Sequence, residues 1–238
     1  MSYKRAHLTT TYKNFHHCTY VVREFEADEY RKVGIDDLLI IPADARLKNG
    51  DPIQGFMSTF FWIIENTPED VICICDDDIL DYHYRSDKDR NVNNTYDDYK
   101  DRIEDEIVRQ AQCLVDLRLG LCCTHPLLTP YAFVKEFDII GAPGSTRIVN
   151  KSCFKAKSSV KDPACSDVDM VLQELLSNRI ILRSSYFVTR TLPNLKTEGG
   201  TANSQSIQDY LHMAMKNKWG KYYEYDEKRS VSKIKVKR

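Results

Sequence analysis

The chain has 238 residues, 42% hydrophobic and 29% charged, with a formal net charge of −1. That length suits one large domain, and the near-zero charge excludes a global electrostatic pull toward nucleic acid or membrane. The charge is nevertheless unevenly spread. Residues 65–109 hold fifteen acidic against six basic side chains, and residues 211–238 hold nine basic against three acidic. An acidic middle attracts divalent cations, and a basic tail attracts phosphates.

Eight cysteines are present without any C-x₂-C pair, and Cys73 and Cys75 sit inside an apolar run. This is the usage of reduced, buried thiols rather than of a zinc site or a disulfide framework. Met1 to Lys13 is basic without an apolar core, unlike a secretory leader. No apolar run approaches the roughly 18 residues of a membrane span. The expectation is a cytoplasmic protein, in a host cytoplasm if the source is viral.

In chain order, His7 to Thr10 reads as a short strand, followed by the polar turn Thr11–Asn14. Cys18 to Val22 is a second strand and Glu24 to Lys32 a short helix. Leu38 to Pro42 is a continuous apolar strand stopped by proline, as in a sheet covered on both faces. Within Gly50 to Asn66, Phe56, Met57, Phe60, Phe61, Ile63 and Ile64 recur at mixed three and four spacing, which predicts a buried helix. Val71 to Cys75 follows as a buried strand that runs directly into Asp76-Asp77-Asp78.

Tyr82 to Asn94, charged and rich in asparagine, reads as a mobile loop. Thr95 to Leu119 is an amphipathic helix on Ile103, Ile107, Ala111, Leu114 and Leu117, stopped by Gly120. Phe137–Ile140 and Thr146–Val149 read as strands around the turn Gly141-Ala142-Pro143-Gly144. Ser166 opens a helix to about Asn178, and the β-branched run Arg179–Thr189 follows. Thr197 to Thr201 is a loop, Ser204 to Trp219 a last helix closed by Gly220, and Val231 to Val236 a half-exposed edge strand. Alternating β and α early and mixed elements late predict an α/β fold whose N-terminal half is a mostly parallel sheet. Ligands bind at the carboxyl ends of such strands, where Asp76 to Asp78 lie.

Three consecutive carboxylates at a strand end raise one another's pKa, and a hard divalent cation relieves the repulsion. Alternation sends Asp76 and Asp78 to one side and Asp77 to the other. The first pair can then hold Mn²⁺ or Mg²⁺ with positions left for a diphosphate. The competing reading is an acidic surface turn.

The stretch Ile53 to Ile79, with its helix Phe60-Phe61-Trp62-Ile63-Ile64-Glu65, short turn, strand and triple aspartate, resembles the nucleotide-sugar half of GT-A glycosyltransferases. More closely, it is similar to the TET-associated, phage-type glycosyltransferases linked to modified DNA bases. Glu26-Ala27-Asp28-Glu29-Tyr30 and Leu39-Ile40-Ile41-Pro42 match that group's early pattern. Ser166-Asp167-Val168-Asp169 and Glu198-Gly199-Gly200 look like its later blocks. The likeness covers residues 8 to 80 well and Tyr131 to Gly200 more weakly.

The resemblance implies a single GT-A-like domain over 1–238, with a donor half at about 1–80 and an acceptor half at about 120–238 that carries the basic tail. It implies that Asp76 and Asp78 contact the donor ribose and the metal, with Asp77 beside the donor, and that Thr11, Tyr12 and Lys13 border the nucleotide base. Many members carry Arg-Asn in the preceding helix where this chain has Met57-Ser58.

Asp167 and Asp169 are candidate general bases. Ser166 with Asp169 is equally a capping box, which leaves Asp167 the better base. His212 is a candidate metal ligand or simply a residue on a helix flank. Lys196, Gly199 and Gly200 are candidate diphosphate contacts or a solvated turn. His16-His17 suits a surface loop. The basic tail can track a phosphate backbone or deter sheet pairing.

The implied activity is metal-dependent transfer of a sugar from a nucleoside diphosphate sugar, a UDP-sugar above all, to a hydroxymethylated pyrimidine in phage DNA. A target base in a duplex must be extruded to be reached. The alternatives are a sugar nucleotidyltransferase and a non-catalytic nucleic-acid-binding module. Against the first, Thr9 to Asn14 lacks the glycine-rich turn; against the second stands the intact triple aspartate.

Overall fold

The computed structural model describes residues 11–87, 90–92, 95–125, 135–159, 161–164, 166–191, 205–226 and 231–237. The predicted strand at His7–Thr10 and the loop at Thr197–Thr201 lie outside them. The architecture is mixed α/β. A 3₁₀ turn at Thr11–Asn14 leads to β1 (Tyr20–Arg23), α1 (Ala27–Lys32), β2 (Leu38–Ile41), α2 (Gly55–Asn66) and β3 (Val71–Cys75). Then come β4 (Ile79–Asp87), β5 (Arg90–Val92), α3 (Tyr99–Asp116), β6 (Leu121–His125), β7 (Phe137–Asp138) and β8 (Thr146–Asn150). The chain closes with α4 (Asp167–Asn178), β9 (Leu182–Thr191), α5 (Gln205–Trp219) and the hairpin β10 (Tyr223–Asp226) and β11 (Val231–Ile234).

The main sheet runs β3-β8-β6-β9-β4-β5, with β7 also on β9. Parallel pairing is confined, among the described residues, to β1–β2 and β6–β9. β3 lies antiparallel to β8, with Ile74 opposite Arg147 and Cys75 opposite Thr146. The mostly parallel N-terminal half is thus corrected to a mixed sheet. Burial period does not encode strand direction: β8 is buried at all five positions, as a parallel strand would be, yet runs antiparallel to both neighbours.

Within the expected loop, the described residues 82–87 and 90–92 are strand. β4 pairs with β9, placing Asp81 opposite Arg190, and with β5. The cross-strand pair of Arg190 with Asp81 anchors the start of a polar segment whose own composition disfavours a strand. Tyr82, fully buried, stacks on Phe187 of β9 with ring centroids 4.8 Å apart.

α3 buries Tyr99, Ile103, Glu106, Gln110 and Leu114 and ends at Asp116. Arg118 makes the reversal at φ 53, and Leu117 is exposed. Gly120, expected as the stop, is required for close approach instead: a Cβ there would lie 2.4 Å from a Glu174 carboxylate oxygen and 2.7 Å from the Phe154 backbone. The strands on either side of Gly141–Gly144 do not pair with each other, since β7 joins β9 and β8 joins β3 and β6.

The largest core unites Phe60, Phe61 and Trp62 of α2 with Ile72 and Ile74 of β3, Leu121 of β6, Val149 of β8, and Met170, Val171 and Leu175 of α4. α2 and α4 are therefore fixed against the central strands, and the end of β3, the start of β8 and the start of α4 meet at one cleft.

Candidate active site

Asp76 leaves β3 half-buried, its backbone N–H donating to the Ser145 carbonyl at 2.9 Å. Asp77 and Asp78 form a turn before β4 restarts at Ile79. The expected alternation of three aspartates therefore stops at Asp76. Thr11 braces this turn from the 3₁₀ segment. Its hydroxyl donates to the Asp76 carbonyl at 2.6 Å, and its oxygen accepts from the Ile79 N–H at 3.1 Å. Tyr99 supports the brace by donating to Asn14 Oδ1 at 2.7 Å, while Asn14 donates to the Thr11 carbonyl at 3.1 Å. Thr11 was expected beside a nucleotide base; what its side chain contacts is the backbone on both sides of the aspartates.

Arg147 on β8 sits opposite Ile74, so it shares a sheet face with Asp76 two residues further on. Its Nη1 donates to Asp76 Oδ1 at 2.8 Å, and its Nη2 lies 3.7 Å from Asp167 Oδ2. The guanidinium carbon stands 4.9 Å from the Phe56 ring centroid. Arg147 is only 4% exposed. Burial pulls its pKa down, but the two carboxylates outweigh burial and keep it charged. A charged residue next to Ile148-Val149 in a strand-like stretch is the one local signal of this arginine in the sequence.

Asp167 and Asp169 have separate environments. Asp167 opens α4, and its Oδ1 accepts from the Val168 N–H at 2.7 Å. Burial raises its pKa above the ordinary carboxylate value, against the opposing pull of Arg147 and that N–H. Asp169 is buried and saturated: it accepts from Trp219 Nε1 at 2.7 Å and Gln173 Nε2 at 2.8 Å, with Lys218 Nζ 2.6 Å away. The Ser166 side chain accepts from the Asp169 N–H, the N-cap half of the predicted capping box, while the Asp169 carboxylate is turned to Trp219, Gln173 and Lys218.

His212 on α5 shares its Nδ1 in a hydrogen bond of 2.5 Å with the Tyr223 hydroxyl and stacks on Tyr225. Burial lowers its pKa. Asp76, Asp77, Asp78, Arg147, Asp167 and His212 all line one cleft. Tyr12 and Lys13 lie in the 3₁₀ turn, Lys13 on its exposed side. His16 is a surface residue bound to Asp101 at 2.9 Å. Lys196, Gly199 and Gly200 are outside the described residues. In the tail, Lys233 pairs with Asp226 at 2.7 Å and Lys235 with Glu224 at 3.1 Å, so part of its positive charge is met within the hairpin.

Among the described residues, no three His, Cys, Asp or Glu side chains converge as a ready-made metal cage. The donor chemistry at the turn still suits a hard cation. Asp76 meets Arg147, and Asp77 and Asp78 bring further carboxylate oxygens to the same cleft. Mg²⁺-like ions commonly take one or two carboxylates and complete their shell with water and substrate phosphates.

No family model, curated protein or solved structure matches this chain.

Proposed function

We propose that this chain is a glycosyltransferase of the GT-A type, moving a sugar from a nucleoside diphosphate sugar to an acceptor hydroxyl in a divalent-cation-dependent reaction. The supporting observation is the convergence, in one cleft, of the aspartates leaving β3 with an acid of raised pKa at the start of α4. In this reading Asp78, with Asp76 and Asp77, would hold Mn²⁺ or Mg²⁺, a Lewis acid that would offset negative charge on the leaving diphosphate. Thr11 keeps the turn that presents them in shape. Asp167 accepts the proton of the acceptor hydroxyl, its raised pKa making it a stronger base than an ordinary exposed carboxylate. Asp169 ties α4 to α5 beneath the base. His212, hydrogen-bonded to Tyr223, serves as part of the cleft wall, and its ligand role in the metal shell is the less supported alternative.

The acceptor is proposed to be a hydroxymethylated pyrimidine in DNA, on the resemblance alone. The test incubates the protein with Mn²⁺, a panel of nucleoside diphosphate sugars and hydroxymethylated DNA, followed by mass spectrometry of the digested nucleosides. A hexose or pentose mass added to the modified nucleoside, lost with Asp78→Asn, is the expected result. Equal adduct from wild type and Asp78→Asn removes the metal assignment, and no adduct with any donor removes this acceptor.

A further inference from the structure

Arg147 is assigned nothing by the resemblance, yet it is the only cation that an ion pair places against both Asp76 and Asp167 among the described residues. Three features set it apart from an ordinary ion pair. It is almost fully buried, so it is held at a desolvation cost that surface pairs do not bear. Its two partners come from different parts of the chain: Asp76 ends β3, in the proposed donor half, and Asp167 begins α4, in the proposed acceptor half. Its guanidinium is also incompletely satisfied. Nε is buried with no hydrogen-bond partner among the described residues, and the 3.7 Å gap to Asp167 exceeds a hydrogen bond. A buried arginine with donors unpartnered is therefore not locked onto one carboxylate but stands between two.

We propose that Arg147 is a positioning residue that couples the two acids, orienting Asp76 toward the donor diphosphate and Asp167 toward the acceptor. This rests on the glycosyltransferase reading for the identity of the ligands, but not for the coupling itself. A planar guanidinium reaches two carboxylates at once, whereas a lysine ammonium is a point charge on a flexible stem. Arg147→Lys therefore keeps the charge and loses most of the bridge.

Two measurements test it. By calorimetry with Mn²⁺ and uridine diphosphate, Arg147→Met is expected to weaken nucleotide affinity about tenfold or more, as loss of a buried charge partner does. Arg147→Lys should recover only part of that loss, and Asp167→Asn should alter the affinity in wild type but not in Arg147→Met. Independently of any ligand, urea midpoints are compared for Asp76→Asn, Asp167→Asn and the double variant. Their effects should be non-additive with Arg147 present and additive in Arg147→Met. Additive midpoints in both backgrounds overturn the coupling, whatever the nucleotide does. Wild-type binding of Mn²⁺ and uridine diphosphate that Arg147→Met leaves unchanged also overturns the positioning role, while the glycosyltransferase reading stands. No nucleotide binding by wild type, with non-additive midpoints, leaves the coupling upheld and removes the donor reading.

Discussion

Asp167 and Asp169 lie two residues apart at one helix start, and their surroundings give them opposite work. Asp169 has its oxygens occupied by Trp219, Gln173 and Lys218. Asp169→Asn should lower stability by about 2 kcal/mol in urea unfolding, the scale of losing bonds to a charged group. Asp167 is held in a setting that penalises its charge. Its folded pKa lies above the ordinary 3.8, so between those values the folded state binds more protons than the unfolded chain. Stability therefore falls as pH rises through that window, and the penalty persists above it. Asp167→Asn should leave the urea midpoint at pH 7–8 equal to or above wild type, while reducing sugar transfer about 10²–10⁴-fold. The same raised pKa places the acid limb of the pH–rate profile above the range of an exposed carboxylate.

The turn that carries the aspartates depends on an element far away in sequence. Thr11 closes it with two hydrogen bonds, and Thr11→Val removes both while preserving shape. A loss of about 1–3 kcal/mol in urea unfolding is expected, since a buried carbonyl and N–H are left unpaired. Thr11→Ser should retain most of the stability. Elements differed in how legible they were. Ser166 with Asp169 three residues on was readable as a helix start because a cap is local chemistry, and α4 begins there. β4 was not readable: Asp81 and Tyr82 are stabilised by Arg190 and Phe187, about a hundred residues away. α3 ended short of Gly120 because Arg118 makes the reversal, and Gly120 is instead required by the approach of Glu174 and Phe154, a contact no local pattern announces.

Across the whole molecule, acid sensitivity follows from buried titratable groups. Burial and the nearby Arg183 lower the pKa of His125, at the end of β6, to about 4. Because its folded pKa lies below its unfolded value, the stability it contributes is present above pH 6.5 and lost as pH falls toward 4. Urea midpoints should fall across that interval, and His125→Gln should flatten this part of the profile. Glu174, raised by burial, acts in the opposite sense, from its ordinary 4.5 upward.

The sequence by itself determined the apolar strand that delivers three aspartates to one point, the cap that begins α4, and the helices whose apolar stripes face the core. These are consequences of short-range periodicity and local hydrogen bonding. Only the tertiary structure decided that β8 runs antiparallel beside β3, and with it that Arg147 lies between Asp76 and Asp167. Strand order and direction are set by which apolar faces find one another across the whole chain. A pairing between positions 71 residues apart leaves no trace in either segment alone.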